Sequence, residues 1–178
     1  TSLSFASIGE TATLTATVKD AGGTAIPGAP VTWVSTVTGI ATVSSAGLVT
    51  SVGNGTGTVI AVSGSIDATA AVTVAQVAST VEVSPTTNTL ESLGDTVTLS
   101  ATVKDAGGTV ISGATVTWTT SDATIVAVSS AGLVTAVADG TATITGTSGS
   151  ASATAAVTVA QVASTVELSP SRKTLASV

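Results

Sequence analysis

The chain repeats itself once, with a spacing of 85 residues. Trp33 returns as Trp118, and the run 19–24 returns at 104–109. Of the 85 aligned positions, 54 are identical, and the alignment needs no gap. A unit of this length is too long for a solenoid repeat and has the size of a small domain. The sequence therefore predicts two tandem copies of one domain.

The repeat also sets the predicted domain boundaries. The segment 78–85 has the composition of an opening strand, and it recurs at 163–170. We therefore expect a first domain at 1–76 that lacks this strand, a second domain at 77–161, and a separate segment at 162–178. The residues that join the two domains include no glycine or proline, which predicts a short and stiff connection.

Two interpretations of the segment 162–178 remain open. It is either the opening strand of a third repeat in a longer array or a donor strand for another molecule. In the second case it would fill the gap in the first domain of the next chain. Such a head-to-tail contact does not close, so it produces filaments. The residues of this donor strand would be Thr165, Val166, Glu167 and Leu168.

Alternation of polar and apolar residues predicts strands rather than helices. In 11–18 and again in 96–103, Thr or Ser alternates with apolar residues. Paired glycines after Asp20 and Asp105 supply the backbone conformations that tight turns need. The pattern indicates an all-β fold of two tandem Greek-key β-sandwiches, which are immunoglobulin-like and have no disulfide because the chain has no Cys. Further strands are predicted at 31–33, 115–118, 125–128, 133–137, 141–145 and 155–159.

Six apolar residues are candidates for the core of the two sandwiches. The Trp of each copy lies on the third predicted strand, where immunoglobulin-like sandwiches bury a Trp. The other four are apolar residues of the alternating Thr-rich strands, two from each copy. The predicted structural core is Trp33, Trp118, Leu14, Leu99, Val18 and Val103.

Four runs of the second copy follow one another in a distinctive order. They are 94–101, 116–122, 126–137 and 140–144, and the first copy has the same order. Together they resemble the bacterial Ig-like domain of group 2. The resemblance implies tandem arrays in bacterial surface proteins, adhesins and phage structural proteins, where such domains are spacers or binding modules. It implies no shared catalytic residues, so no site is transferred to this chain.

The composition excludes most catalytic and metal chemistry. The chain has no His and no Cys, so Ser-His and Cys-His pairs and the usual zinc, haem and iron–sulfur ligands cannot be assembled. The prediction is therefore a protein that is not an enzyme and has no cofactor.

A net charge of −6 with only 4 Lys and Arg argues against nucleic-acid binding. Since no run approaches the ~18 apolar residues of a spanning helix, we expect no membrane insertion.

Several surface features allow a simple interpretation and a sharper one. Asp20, Asp105, Asp122 and Asp139 fit turn formation, whereas calcium needs clustered carboxylates that the sequence does not supply, so calcium stays an alternative. A glycan site usually presents exposed aromatic side chains, but both Trp are assigned to the core. The Thr rows at 11–17 and 96–102 are a solvated face, a lateral packing surface in a fibre, or an ice-binding array.

These observations predict a structural module of a bacterial surface or extracellular protein. It would act as a rigid stalk or as a filament-forming array of repeats, with neighbouring copies of the same repeat or chain as its partners. One alternative is an adhesin-type binding module that recognises a glycan or a host receptor. Another is a structural or decoration domain of a phage. The expected location is the bacterial cell surface, the extracellular space or the phage particle.

Overall fold

The computed structural model describes residues 1–169. This part of the chain contains sixteen β-strands and no α-helix, which confirms the predicted all-β fold. Accordingly, the described residues include no helix that is long and apolar enough to cross a membrane. The last residues of the predicted segment 162–178 lie outside the described part.

Seven strands of the first copy form two sheets. One sheet has the order β1-β7-β6-β3 and the other the order β2-β5-β4. Neighbouring strands are antiparallel except β1 and β7, which are parallel. The strands are β1 (Ser2–Phe5), β2 (Thr11–Thr13), β3 (Thr32–Ser35), β4 (Ala41–Val43), β5 (Leu48–Ser51), β6 (Gly55–Ser63) and β7 (Ile66–Val74).

The second copy repeats these two sheets and adds a third. The sheets β12-β15-β16-β9 and β10-β14-β13 have the strand orders of the first copy, and β8 and β11 form a separate two-stranded sheet. The strands are β8 (Thr80–Ser84), β9 (Thr87–Leu90), β10 (Thr96–Thr98), β11 (Ser100–Lys104), β12 (Thr117–Thr120), β13 (Val126–Val128), β14 (Leu133–Ala136), β15 (Gly140–Ser148) and β16 (Ala151–Val159).

The core of the first copy draws on both of its sheets. Because side chains alternate along a strand, each sheet turns one apolar face towards the other. Trp33 is half-buried and packs against this core. The buried members of the cluster are Phe5, Ala41, Val49, Val59, Val72 and Val74.

The residues group into two compact units that do not follow the repeat boundaries. The first unit contains Thr1–Glu82 together with Ala101–Thr117 and Gly146–Ala153. The second contains Val83–Ser100, Trp118–Thr145 and the chain from Thr154 onwards. The turn at Asp105 therefore belongs to the same compact unit as the first repeat. The predicted boundaries after residues 76 and 161 rest on the sequence repeat and stay a prediction.

The predicted strand at 11–18 is wrong in its second half. β2 ends at Thr13, whereas the equivalent stretch of the second copy continues after Leu99 as β11. A strand needs a hydrogen-bonded neighbour, and β11 has one in β8. Among the described residues, 14–18 belong to no sheet. Sequence alternation alone could not reveal this difference, since it is the same in both copies.

Candidate functional site

The most elaborate polar site in the first unit is the carboxylate of Asp105. This side chain is only 2% exposed. Its Oδ2 accepts hydrogen bonds from the backbone N–H of Ile8 at 3.0 Å and from Nε2 of Gln76 at 2.8 Å. Its Oδ1 accepts one from the backbone N–H of Thr109 at 2.9 Å, which closes the local turn. One carboxylate of the second repeat therefore holds two residues of the first.

Gln76 is placed for this contact by a second pair of hydrogen bonds. The hairpin of β6 and β7 pairs Gly55 with Val74, which brings Asn54 beside Gln76. Oδ1 of Asn54 accepts from the Gln76 backbone N–H at 2.9 Å, and Nδ2 of Asn54 donates to Oε1 of Gln76 at 2.9 Å. With its Oε1 occupied as an acceptor, the Gln76 amide directs its N–H donors towards Asp105. The amide orientation is thus set by two partners at once.

The surroundings of Asp105 keep it ionised. The hydrogen bond from Gln76 is the main cause of a lowered pKa, burial opposes it, and the backbone N–H groups of Ile8, Thr109 and Gly107 lower the pKa further. A carboxylate that accepts several hydrogen bonds is stabilised in its charged form. Since every partner is a donor, this site is suited to fixing backbone segments in place and not to proton transfer.

Gly107 makes the approach to the first repeat possible. A Cβ atom at this position would lie 3.1 Å from the carbonyl oxygen of Ile8 and 3.6 Å from Cβ of Ser7. The equivalent Gly22 has only its own turn nearby, with Oδ1 of Asp20 at 3.4 Å. Gly107 therefore has a packing role that Gly22 does not have.

A different feature lies beside residues 14–18, which belong to no sheet. Two cavities of about 100 and 190 Å³ adjoin there. Their walls share Ala16, Thr17, Ala61 and Ala68. The larger cavity is also lined by Leu14 and by the half-buried Trp33. We call this feature the strand slot, defined by residues 14–18 and the facing residues 59–61 and 68–70.

The six predicted core residues have different surroundings in the two copies. Leu99 and Val103 are 2% and 3% exposed, whereas their counterparts Leu14 and Val18 are half-buried. Trp118, like Trp33, is half-buried. The second copy is therefore the better packed around these positions.

The remaining predicted residues lie at the surface or in turns. Of the possible donor strand, Val166 and Leu168 are 90% and 87% exposed, and Thr165 and Glu167 are exposed as well. The Thr rows at 11–17 and 96–102 keep their Thr and Ser side chains exposed.

The predicted turn role fits the hydrogen bonds of Asp20 and Asp122, whereas the bond of Asp139 reaches a residue 22 positions away and leaves its turn role a prediction. Oδ1 of Asp20 accepts from the backbone N–H groups of Gly22 and Thr24, both at 2.9 Å. Oδ1 of Asp139 accepts from the backbone N–H of Gln161 at 3.0 Å. A hydrogen bond from the Thr124 side chain is the main cause of a lowered pKa at Asp122. Within residues 1–169, no three acidic side chains are grouped as a metal site would require, and the absence of cofactors and calcium stays a prediction.

Sequence reasoning missed the residues that give Asp105 its distinct role. Ile8 and Gln76 lie 97 and 29 positions away from it in the chain. Gln76 has a counterpart in Gln161 and carries no motif of its own. No local pattern could therefore have identified these partners.

Comparison with solved structures finds similar proteins, among them an S-layer protein and an adhesin. Domains 4 and 5 of the S-layer protein SbsC are 30% identical over 83% of this chain and 81% of that chain, with a TM-score of 0.44. A structure of SbsC domains 1–6 is 30% identical over 85% of this chain but only 23% of that chain, with a TM-score of 0.46. The Escherichia coli adhesin FdeC is 24% identical over 88% of this chain and 61% of that chain, with a TM-score of 0.46.

The comparisons of the sequence itself point to one family. No curated protein matches the chain. The model of one family, the bacterial Ig-like domain (group 2), matches residues 77–159. This range begins within three residues of β8 and ends at the last residue of β16. The second copy therefore belongs to the family of bacterial Ig-like domains of group 2.

Proposed function

We propose that this chain is a non-enzymatic structural module of a bacterial cell-surface or extracellular protein. Its tandem Ig-like repeats would form part of a stalk that transmits force along the chain. The observation that carries this proposal is the buried carboxylate of Asp105, which accepts hydrogen bonds from Ile8 and Gln76 of the preceding repeat. A module that only presents its own surface does not need such a connection between repeats.

The chemistry of the described residues supports this role. Hydrogen bonds to a charged group are stronger than those between neutral groups, and burial shields them from competing water. In contrast, the ion pair of Lys104 and Glu82 has side chains that are 30% and 56% exposed, and exposed pairs add little stability. The connection through Asp105 is thus the one we expect to resist extension.

Single-molecule force spectroscopy tests the proposal directly. Because the chain has no Cys, one Cys added at each end gives specific attachment points. We expect two unfolding events of about 85 residues each, a length taken from the repeat. The Asp105→Asn variant should unfold at lower force, because the Asn amide brings N–H donors to a position where two donors already converge.

The matched control is Asp20→Asn, which removes the same charge from the exposed turn of the first repeat. It should leave the force unchanged. Equal effects of the two variants would contradict the proposed role of Asp105.

A glycan array and a panel of receptor ectodomains complete the test. Saturable binding by the purified chain would overturn the stalk in favour of the adhesin-type alternative.

A further inference from the structure

Asn54, Gln76 and Asp105 form a relay of hydrogen bonds within the first compact unit. Nδ2 of Asn54 donates to Oε1 of Gln76 at 2.9 Å, and Nε2 of Gln76 donates to Oδ2 of Asp105 at 2.8 Å. The relay has a fixed direction, because an ionised carboxylate accepts hydrogen bonds and has none to donate. The amide nitrogen of Asn54 is therefore the group that starts it.

The residue after Asn54 makes this amide chemically labile. The backbone nitrogen of a following Gly can attack the amide carbon of Asn, because no Cβ atom hinders the approach. Both Asn54 and Gly55 are exposed, so water reaches them. Gly55 has a φ of 138°, and a Cβ atom there would lie 2.6 Å from Cδ1 of Ile40. The fold thus requires glycine at the position that makes Asn54 reactive.

The second repeat contains an acid in the place of Asn54. Asp139 is followed by Gly140, which has a φ of 146°. Oδ1 of Asp139 accepts from the backbone N–H of Gln161 at 3.0 Å, as Oδ1 of Asn54 does from the backbone N–H of Gln76 at 2.9 Å. An ionised acid at this position therefore keeps the backbone bond, but it has no N–H to donate to a glutamine side chain.

We propose that Asn54 is a site of spontaneous deamidation, and that its conversion to an acid unfastens Gln76 from Asp105. The backbone nitrogen of Gly55 attacks Cγ of Asn54, the new C–N bond closes a succinimide ring, and the side-chain nitrogen leaves as ammonia with the proton of the Gly55 nitrogen. Water then opens the ring to aspartate or isoaspartate. The net reaction consumes one water and releases one ammonia, so no other reactant is needed.

The product cannot sustain the direction of the relay. A carboxylate oxygen would face Oε1 of Gln76, and both are acceptors. If the Gln76 amide turns over to donate to residue 54, its Oε1 comes to face Oδ2 of Asp105, which is an acceptor as well. Either orientation loses one hydrogen bond. The reaction at Asn54 does not depend on the proposed stalk function, whereas its consequence for a stalk would be a gradual, irreversible loosening of the connection through Asp105.

Peptide mapping by mass spectrometry tests the reaction itself. The folded chain is incubated at mildly alkaline pH in water labelled with heavy oxygen, which enters the product when the ring opens. Asn88 is an internal control, because it is followed by the β-branched Thr89 within β9 (Thr87–Leu90). We expect Asn54 to be converted and to carry the label while Asn88 stays intact. An Asn54 that survives as long as Asn88 would overturn the proposal.

Urea unfolding of Asn54→Asp tests the consequence for the relay. The equilibrium constant for unfolding should rise by about tenfold, as expected for the loss of one hydrogen bond. In the Gln76→Leu background the same substitution should have little further effect, because the side chain that it disturbs is gone. Moderate salt screens direct repulsion between the exposed new carboxylate and other acids.

An equal loss in both backgrounds would overturn the proposed action on Gln76, and so would a variant as stable as the wild type. The deamidated fraction of aged wild-type protein, isolated by ion exchange, should be destabilised in the same direction as Asn54→Asp. These readouts are separate from the force measurement, so a failure of the stalk proposal and a failure at Asn54 are distinguishable.

Discussion

The turns at Asp20 and Asp105 have the same six-residue sequence but different surroundings. Both carboxylates close their turns by accepting backbone hydrogen bonds. Asp20 is exposed, whereas Asp105 is 2% exposed and also accepts hydrogen bonds from Ile8 and Gln76. One motif therefore shapes a loop in the first repeat and fastens distant backbone in the second. What differs is the set of residues packed against the turn, which lies outside the motif.

The segments that precede the two turns show the same contrast in their apolar side chains. Leu99→Ala should lower the free energy of unfolding by about 2–5 kcal/mol, because a fully buried Leu leaves a cavity when it is truncated. Leu14→Ala should cost less, since the half-buried Leu14 already borders open space. Urea unfolding of both variants, followed by Trp fluorescence, measures the difference. A loss at Leu14 as large as that at Leu99 would show that the slot is closed in solution.

The two turn glycines give a sharper comparison of the turns themselves. Gly107→Ala should destabilise the protein by about 1–3 kcal/mol, because its Cβ would be crowded by the Ile8 carbonyl oxygen. Gly22→Ala should be neutral or stabilising by up to about 1 kcal/mol, since the unfolded chain loses freedom and no distant atom is crowded. Neither glycine has a positive φ, so backbone strain does not obscure the comparison. Thermal unfolding of the two variants measures the difference between their stabilities. Equal stabilities would disprove the close packing at Gly107.

The contrast also explains what could be predicted from the sequence. Alternating Thr-rich runs and Asp-Ala-Gly-Gly turns report local geometry, so the all-β fold and the repeat were accessible. The hydrogen-bond partners of Asp105 could not be predicted, because Asp20 has the same neighbours in sequence but different surroundings in the structure. Residues 14–18 were misassigned for the same reason. Whether an alternating run becomes a strand depends on a neighbour such as β8, and that neighbour lies outside the run.

The smallest expected effect concerns the pH dependence of stability. Because the pKa of Asp105 is lowered below its ordinary value of 3.8 in the folded state, its stabilising contribution is complete above about pH 4. It is lost as the pH falls through the folded-state pKa. Gln76→Leu removes the main cause of the lowered pKa, so this variant should be less stable than the wild type at neutral pH. The difference should shrink on acidification.

Gln161→Leu makes the same substitution at the equivalent position of the second repeat. Within the described part of the chain, Gln161 makes one hydrogen bond to a side chain, from its backbone N–H to the carboxylate of Asp139. The Gln161 side chain takes no part in this bond, so the substitution leaves it intact. The variant should therefore keep the acid dependence of the wild type, as measured by urea unfolding between pH 7 and about pH 3. Parallel behaviour of the two variants would mean that Gln76 stabilises the protein without acting on Asp105. A gap that narrows only for Gln76→Leu would assign the effect to the buried carboxylate, because that carboxylate is the titrating group in contact with the Gln76 side chain.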